Sequence, residues 1–315
     1  MLRRIGVCPS FVALHKIDLS GVSMNPRARR SVLYMPGSNA RAIVKARGLP
    51  VDALILDLED SVAPDAKALA REQVVAAVRG GGFGGRQVVI RVNGAQTPWG
   101  EDDLAAAIAA RPDAILLPKV DSAGMIMQAA RALREAGAPD SVRLWAMMET
   151  PLAILHAESI AAAAADPASR LEALVMGLND LAKETRARLT PGRGAMIAWM
   201  ALCVAAARAH GCDIVDGVFN DLNNPEGFRA ECEQGRDMGF DGKTLIHPGQ
   251  VAVCNAVFSP EAGEIDNARA ILAAFAAPEN AGKGVVQLNG RMVERLHAEM
   301  AERTLAIAVA VAGQG

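Results

Sequence analysis

Hydrophobic and polar positions follow two alternating rhythms along the chain. Short, nearly continuous apolar runs occur at 31–35, 53–57, 88–92, 114–118, 142–148, 173–177, 213–218 and 242–247. Continuous apolar runs of this length are what buried parallel strands require. Between them lie longer stretches near 39–48, 66–79, 101–110, 122–136, 152–164, 195–210, 225–238 and 248–257. There Ala, Leu and Ile recur on one side of a helical period, with Arg, Glu and Asp on the other, as in 66–78. Eight strand–helix repeats predict an α/β chain folded as a closed (β/α)8 TIM barrel. A doubly wound open sheet is the rival architecture, but no G-x-G-x-x-G follows the first strand. The glycine cluster 80–85 follows a helix and reads as a loop.

The expected organisation has three parts: an N-terminal extension over 1–29, the barrel over 30–258, and C-terminal helices over 259–315. In the first part, Pro9, Ser10, His15 and Lys16 break the apolar run too early for a signal peptide. Met24 opens a basic stretch just before the first strand, which suggests an alternative start and a poorly ordered leader. In the third part, a helix over 260–276 leads into a glycine-flanked loop, a short strand-like VVQLNG and a last helix from about 292. That tail is too short for a domain with its own core. The stripe Val293, Leu296, Met300, Leu305 and Ile307 must therefore be buried elsewhere. The expectation is a lid or arm on a neighbouring subunit.

Composition narrows the function classes. Aromatics are 3% of residues, too few for base-stacking platforms, and 33 Lys+Arg balance 35 Asp+Glu, so nucleic-acid binding is not expected. No apolar run is long enough to span a membrane. The five cysteines form no C-x-x-C pair and the five histidines no H-x-x-x-H, so reduced thiols, a cytoplasmic location and no zinc site are expected.

The carboxyl ends of barrel strands converge on one face. They carry Pro36-Gly37-Ser38, Asp57, Glu59, Asp60, Arg91, Asn93, Lys119, Glu149, Asn179, Asp180, Asp216 and His247. Acidic groups with one arginine and one lysine suit a hard cation and an oxygen-rich anion. Glu149 and Asp180 each end a strongly apolar strand, where a carboxylate must be paired or bind metal. A Mg²⁺ site and a salt bridge to a barrel cation are both open. Arg91 cannot shed its charge and needs an anion, either a substrate oxygen or Asp57 and Glu59. Asp57 and Glu59 share one side of an extended chain and could orient Arg91 or metal-bound waters. Asp60 or Ser61 could instead cap the following helix.

The stretches RSVLYMPGSN, LILDLEDSVAP, VVIRVNG, ILLPKV, METPLAI, MGLNDLA and GKTLIHPGQ occur in that order and spacing. Together they resemble the citrate lyase β-subunit-like (CitE-like) branch of the HpcH/HpaI aldolase family, which includes malyl-CoA and citramalyl-CoA lyases and malyl-CoA thioesterases. The resemblance covers about residues 30–300. It implies Mg²⁺ held by Glu149 and Asp180, and Arg91 on the substrate's keto or hydroxy-acid oxygens. It places Glu59 and Asp60 near the metal, and coenzyme A contacts at the Pro36-Gly37-Ser38 turn and Lys45. It also implies homotrimers, sometimes paired into hexamers. Many relatives carry an aspartate in the C-terminal arm that reaches into the neighbouring site as acid/base group. Here the position reads Glu294, whose extra methylene shifts the carboxylate.

These readings lead to one expected activity. It is a reversible Claisen-type cleavage of a short 3-hydroxyacyl-CoA (malyl-, citramalyl- or citryl-CoA-like) into a 2-oxo acid and an acyl-CoA, with Arg91 and Glu294 as catalytic groups. Three rivals remain: a malyl-CoA-type thioesterase on the same metal site, an acyl-carrier-protein-dependent citrate lyase β subunit, and a non-catalytic barrel subunit.

Overall fold

The computed structural model describes residues 27–313. The expectations of a start at Met24 and a poorly ordered leader fall on residues 1–26, outside the described residues. Ala28 and Arg29, counted with that leader, are buried.

Eight parallel strands close into a barrel in sequence order: β1 (Ser31–Pro36), β2 (Ala53–Asp57), β3 (Gln87–Arg91), β4 (Ala114–Leu117), β5 (Arg143–Met148), β6 (Leu171–Met176), β7 (Asp213–Asp216) and β8 (Gly242–Leu245). Closure comes from β8 against β1, with Ser31, Val32 and Leu33 opposite Lys243, Thr244 and Leu245. The strands are apolar on both faces because both faces are covered. Val32, Ile55, Val89, Leu116, Trp145, Met147 and Val175 fill the barrel. Their strand neighbours Leu33, Leu54, Leu56, Ile90 and Ile115 pack outward under the helices.

The surrounding helices are α1 (Ala40–Ala46), α2 (Lys67–Gly80), α3 (Gly100–Ala110), α4 (Ala123–Glu135), α5 (Pro151–Leu155), α6 (Ala157–Ala162), α7 (Leu178–Thr185), α8 (Ile197–Ala209), α9 (Pro225–Met238) and α10 (Val251–Val257). Two differ from expectation. The stretch at 152–164 breaks at His156 into α5 and α6. The Asn179-Asp180 segment, expected as a strand tip, starts α7.

The tail forms α11 (Ala262–Ala276), an antiparallel hairpin of β9 (Val285–Leu288) and β10 (Arg291–Glu294), and α12 (Arg295–Ala312). Residues 292–294 are strand, not helix, because Met292 and Val293 pair with Gln287 and Val286. Contrary to the sequence reading, this unit has a small core of its own, built on Ala268, Ile271, Val286, Val293, Ala301 and Leu305. Arg303 donates to Asp241 at 2.6 Å, just before β8, so α12 lies at the amino-terminal face of its own barrel. Met292, Leu296 and Met300 are exposed; Met292 is 75% accessible.

Candidate active site

The mouth at the carboxyl ends of β2 to β6 gathers most of the expected side chains. Arg91 ends β3 and is buried, with 6% of its surface exposed. Its Nε and Nη2 grip Asp57 Oδ1 and Oδ2 at 2.6 and 2.7 Å, a bidentate pair across neighbouring strands. Burial opposes ionisation of Asp57, but the guanidinium overcomes it and holds the carboxyl below its usual range. Arg91 is therefore locked in orientation by a core salt bridge. Its Nη1 remains toward the mouth, 2.8 Å from Glu59 Oε2 and 3.3 Å from Asp60 Oδ2.

The Glu59 contact is an ion pair without hydrogen-bond alignment, so the buried Oε2 has no hydrogen-bond donor. Desolvation pushes the Glu59 carboxyl up to about 8, Arg91 opposing it. Asp60 is exposed. Asp57 receives the Glu59 amide and the Ser61 amide and hydroxyl, so Asp57, not Asp60, caps this turn.

Glu149 follows β5 and is 1% exposed. Burial pushes its carboxyl up to about 7, against the pull of Lys119. A Cβ at Gly177 would lie 2.4 Å from Glu149 Cβ and 2.6 Å from Oε2, so only glycine lets this side chain pass. Asp180 sits in the first turn of α7, where the helix dipole favours an anion. Lys119 joins the two: its amide donates to Glu149 Oε1 at 2.7 Å and its Nζ to Asp180 Oδ1 at 2.8 Å. Lys119 has φ +48°, a left-handed conformation uncommon outside glycine, and it lies directly between the two carboxylates in this network.

The donor set fits a hard divalent cation. Both side chains offer only oxygen, Glu149 is buried and aimed at the mouth, and the Lys119 ammonium is a cation already seated on Asp180. Among the described residues no three His, Cys, Asp or Glu side chains are grouped so as to hold a metal ion. Glu149 and Asp180 fall within the one or two carboxylates that Mg²⁺ takes from protein, and the salt bridge open as the alternative is present at Asp180, which Lys119 holds.

Other expected residues are placed differently. The Gly37 amide donates to Asp57 O at 2.8 Å, pinning the Pro36-Gly37-Ser38 turn to the mouth, where Ser38 is exposed; Lys45 is exposed in the last turn of α1, farther from the mouth. Asn179 bonds Asn220, and His247 caps the turn after β8. Asp216 is fully buried between Arg193 and Lys243, beneath α9, and does not join the mouth. Glu294 is an exposed cap of α12, its amide donating to His297 Nδ1 at 3.0 Å. Within one chain it is in the C-terminal unit, at the opposite face from Arg91.

Sequence reasoning missed Tyr34, the chain's one tyrosine, whose ring lies 4.8 Å from the Arg91 guanidinium carbon. Its place two residues after inward-facing Val32 was the available signal. Lys67, discussed below, was also missed.

A model of the HpcH/HpaI aldolase/citrate lyase family matches residues 30–248. The chain belongs to that family. Its match to the (3S)-malyl-CoA thioesterase of Cereibacter sphaeroides is 50% identical and covers 91% of this chain and 96% of that protein. The L-malyl-CoA/beta-methylmalyl-CoA lyase of the same species is 35% identical, over 88% of this chain and 93% of that one. Among solved structures, CitE from Mycobacterium tuberculosis, in complex with magnesium, acetoacetate and coenzyme A, has a TM-score of 0.70 and 26% identity. That likeness covers 91% of this chain and the whole of the other. Membership makes the barrel an enzyme of a coenzyme A ester lyase family. Among the described residues no helix is long and apolar enough to cross a membrane.

Proposed function

We propose that this family member acts on a short 3-hydroxyacyl-CoA of the malyl-CoA type, with Mg²⁺ on Glu149 and Asp180, and that its net reaction is thioester hydrolysis. One observation carries the reading. Lys119 joins Glu149 and Asp180 on the same mouth as Arg91, in a chain half identical to a (3S)-malyl-CoA thioesterase over nearly its whole length.

When bound, the metal supplies a Lewis acid for the oxygens of the hydroxy-acid end. Arg91, locked on Asp57, presents Nη1 to the substrate carboxylate or to an oxygen gaining charge. Glu59, paired with Arg91 Nη1 and raised by burial to about 8, is placed to take a proton from an attacking water once it has itself been deprotonated. Coenzyme A would enter over the Pro36-Gly37-Ser38 turn, with exposed Lys45 along α1 to meet its phosphates.

A second reading keeps carbon–carbon cleavage as the net reaction, and the exposed Met292, Leu296 and Met300 around Glu294 favour it. They supply an apolar face by which the C-terminal unit would dock on another copy, in a homotrimer or hexamer. Glu294 would then protonate the acetyl-CoA or propionyl-CoA enolate in that copy's mouth.

Product analysis decides. With malyl-CoA and Mg²⁺, hydrolysis releases free coenzyme A and malate together. Accumulation of acetyl-CoA and glyoxylate supports the lyase reading, and no consumption of the thioester contradicts both.

A further inference from the structure

Glu59 faces Arg91 because something fixes its backbone, and the residue that does so is eight positions away. Lys67 opens α2 and is 6% exposed. Its ammonium has three N–H donors. They meet Leu58 O, Glu59 O and Asn93 Oδ1, each at 2.8 Å. Among the described residues it has no salt-bridge partner, and its remaining neighbour is the Trp99 ring at 5.2 Å. A buried ammonium satisfied only by neutral oxygens is costly. Desolvation accordingly pulls its pKa down, with Asp57 and Glu59 opposing. Satisfying two carbonyls does not require a charge, since water or an amide would serve.

The geometry gives the charge a task. Leu58 O belongs to the peptide group before the Glu59 Cα, and Glu59 O to the one after it. Holding both oxygens on one ammonium sets the two peptide planes flanking that Cα, and with them the φ and ψ of Glu59. The Glu59 amide, bound to Asp57 Oδ1 at 2.9 Å, fixes the same plane from its other side. The anchor is itself braced. Asn93 Nδ2 donates to Leu58 O at 2.7 Å, the Asn93 amide donates to Asp103, and Asp103 pairs with Arg71 at 2.6 Å.

We propose that Lys67 is a positioning residue: its buried ammonium clamps the turn after β2 so that the Glu59 carboxylate faces Arg91 and the reacting centre. The consequence for turnover rests on the functional reading above; the positioning itself does not.

Two measurements test this. In a crystal structure of Lys67→Met, which keeps length but removes the donors, the turn should relax and the Glu59–Arg91 contact should open. An unchanged contact overturns the proposal. In kinetics with malyl-CoA, Lys67→Met should lose about tenfold or more in kcat, while KM and the Mn²⁺ dissociation constant stay within about threefold. In Lys67→Ala, ethylammonium should restore part of kcat where equal potassium chloride does not. Loss of kcat without amine rescue, in step with loss of thermal stability, means a scaffolding role and overturns the proposal, as does kcat within about threefold of wild type. Lys67→Leu, which likewise carries no donor, replaces the methionine variant if that does not fold, with the same criteria. Wild-type protein inert toward malyl-CoA overturns the functional reading alone, and the crystal structure still decides the role of Lys67.

Discussion

The barrel has a buried arginine at each end, and the two are held in opposite ways. At the amino-terminal floor, Arg29 lies 5.3 Å from the Trp145 ring and spends every nitrogen: Nε on Gln87, Nη1 on Asp213, Nη2 on Glu172. Glu172 also accepts from Trp145 Nε1 and Gln87 Nε2 at 3.0 Å each. Burial penalises its charge, yet Arg29 and these donors bring its pKa below the usual value. At the mouth, Arg91 stacks on Tyr34 in the same manner, but the acids beside it are under-satisfied. Glu59 meets Arg91 without an aligned hydrogen bond and is pushed up to about 8, and Glu149 is pushed up to about 7 despite Lys119. A cavity of ≈ 1050 Å³ opens below the floor, between Arg29 and α12. Burial and Asp241 raise the Asp213 carboxyl there too, but Arg29 is seated on it. Satisfied charge marks structure, and charge left in want of a partner marks where a ligand belongs.

This contrast can be broken from either end. The largest effect is expected from Glu149→Gln or Asp180→Asn. Each removes one of two charged ligands and should lower Mg²⁺-dependent turnover by about 10³ or more, with circular dichroism unchanged. Full activity of either variant in chelator removes the metal assignment. Arg29→Met strands Glu172 and Asp213 and should cost about 3–5 kcal/mol in denaturant unfolding, with turnover preserved below the melting point. Arg91→Lys keeps charge but loses the fork on Asp57, and kcat should fall by about 10² while stability changes less than in the floor variant. A lysine variant with near-normal kcat makes Arg91 purely structural.

The smallest effect is on pH. Glu149 is raised from 4.5 to about 7, so the folded protein holds a proton that the unfolded chain releases. The metal-free fold therefore loses stability as pH climbs from about 4.5 through about 7, while metal binding must expel that proton. Mn²⁺ affinity should rise by up to about tenfold per pH unit below 7 and level off above it. A flat profile between pH 5 and about 8 contradicts the raised Glu149.

The sequence made the barrel readable because its eight strands are buried on both faces and so appear as bare apolar runs. Arg91, Glu149 and Lys119 could be picked out because each is an ionisable residue interrupting or ending such a run. Asp180 was found but misplaced on a strand tip, since the glycine before it looked like a strand end and not a helix cap. Lys67 was hidden because a lysine in the first turn of an amphipathic helix looks solvent-facing, and its three acceptors come from two other loops. Glu294 was read into a helix because β10 has four residues, too few for alternation to stand out, and its partner strand is set by the turn at Asn289 and Gly290. Whether the apolar face beside it closes over another copy depends on a second chain, which no single-chain pattern contains.

The central claim is that Glu149 and Asp180 at the mouth, and not the Arg29-paired Glu172 at the floor, bind a divalent cation. Titrating Mn²⁺ into wild type, Glu149→Gln and Glu172→Gln by electron paramagnetic resonance tests it most directly. The account predicts about one bound ion per chain in wild type, none in Glu149→Gln, and binding retained in a less thermostable Glu172→Gln. Binding that survives in Glu149→Gln, or that disappears only in Glu172→Gln, contradicts it.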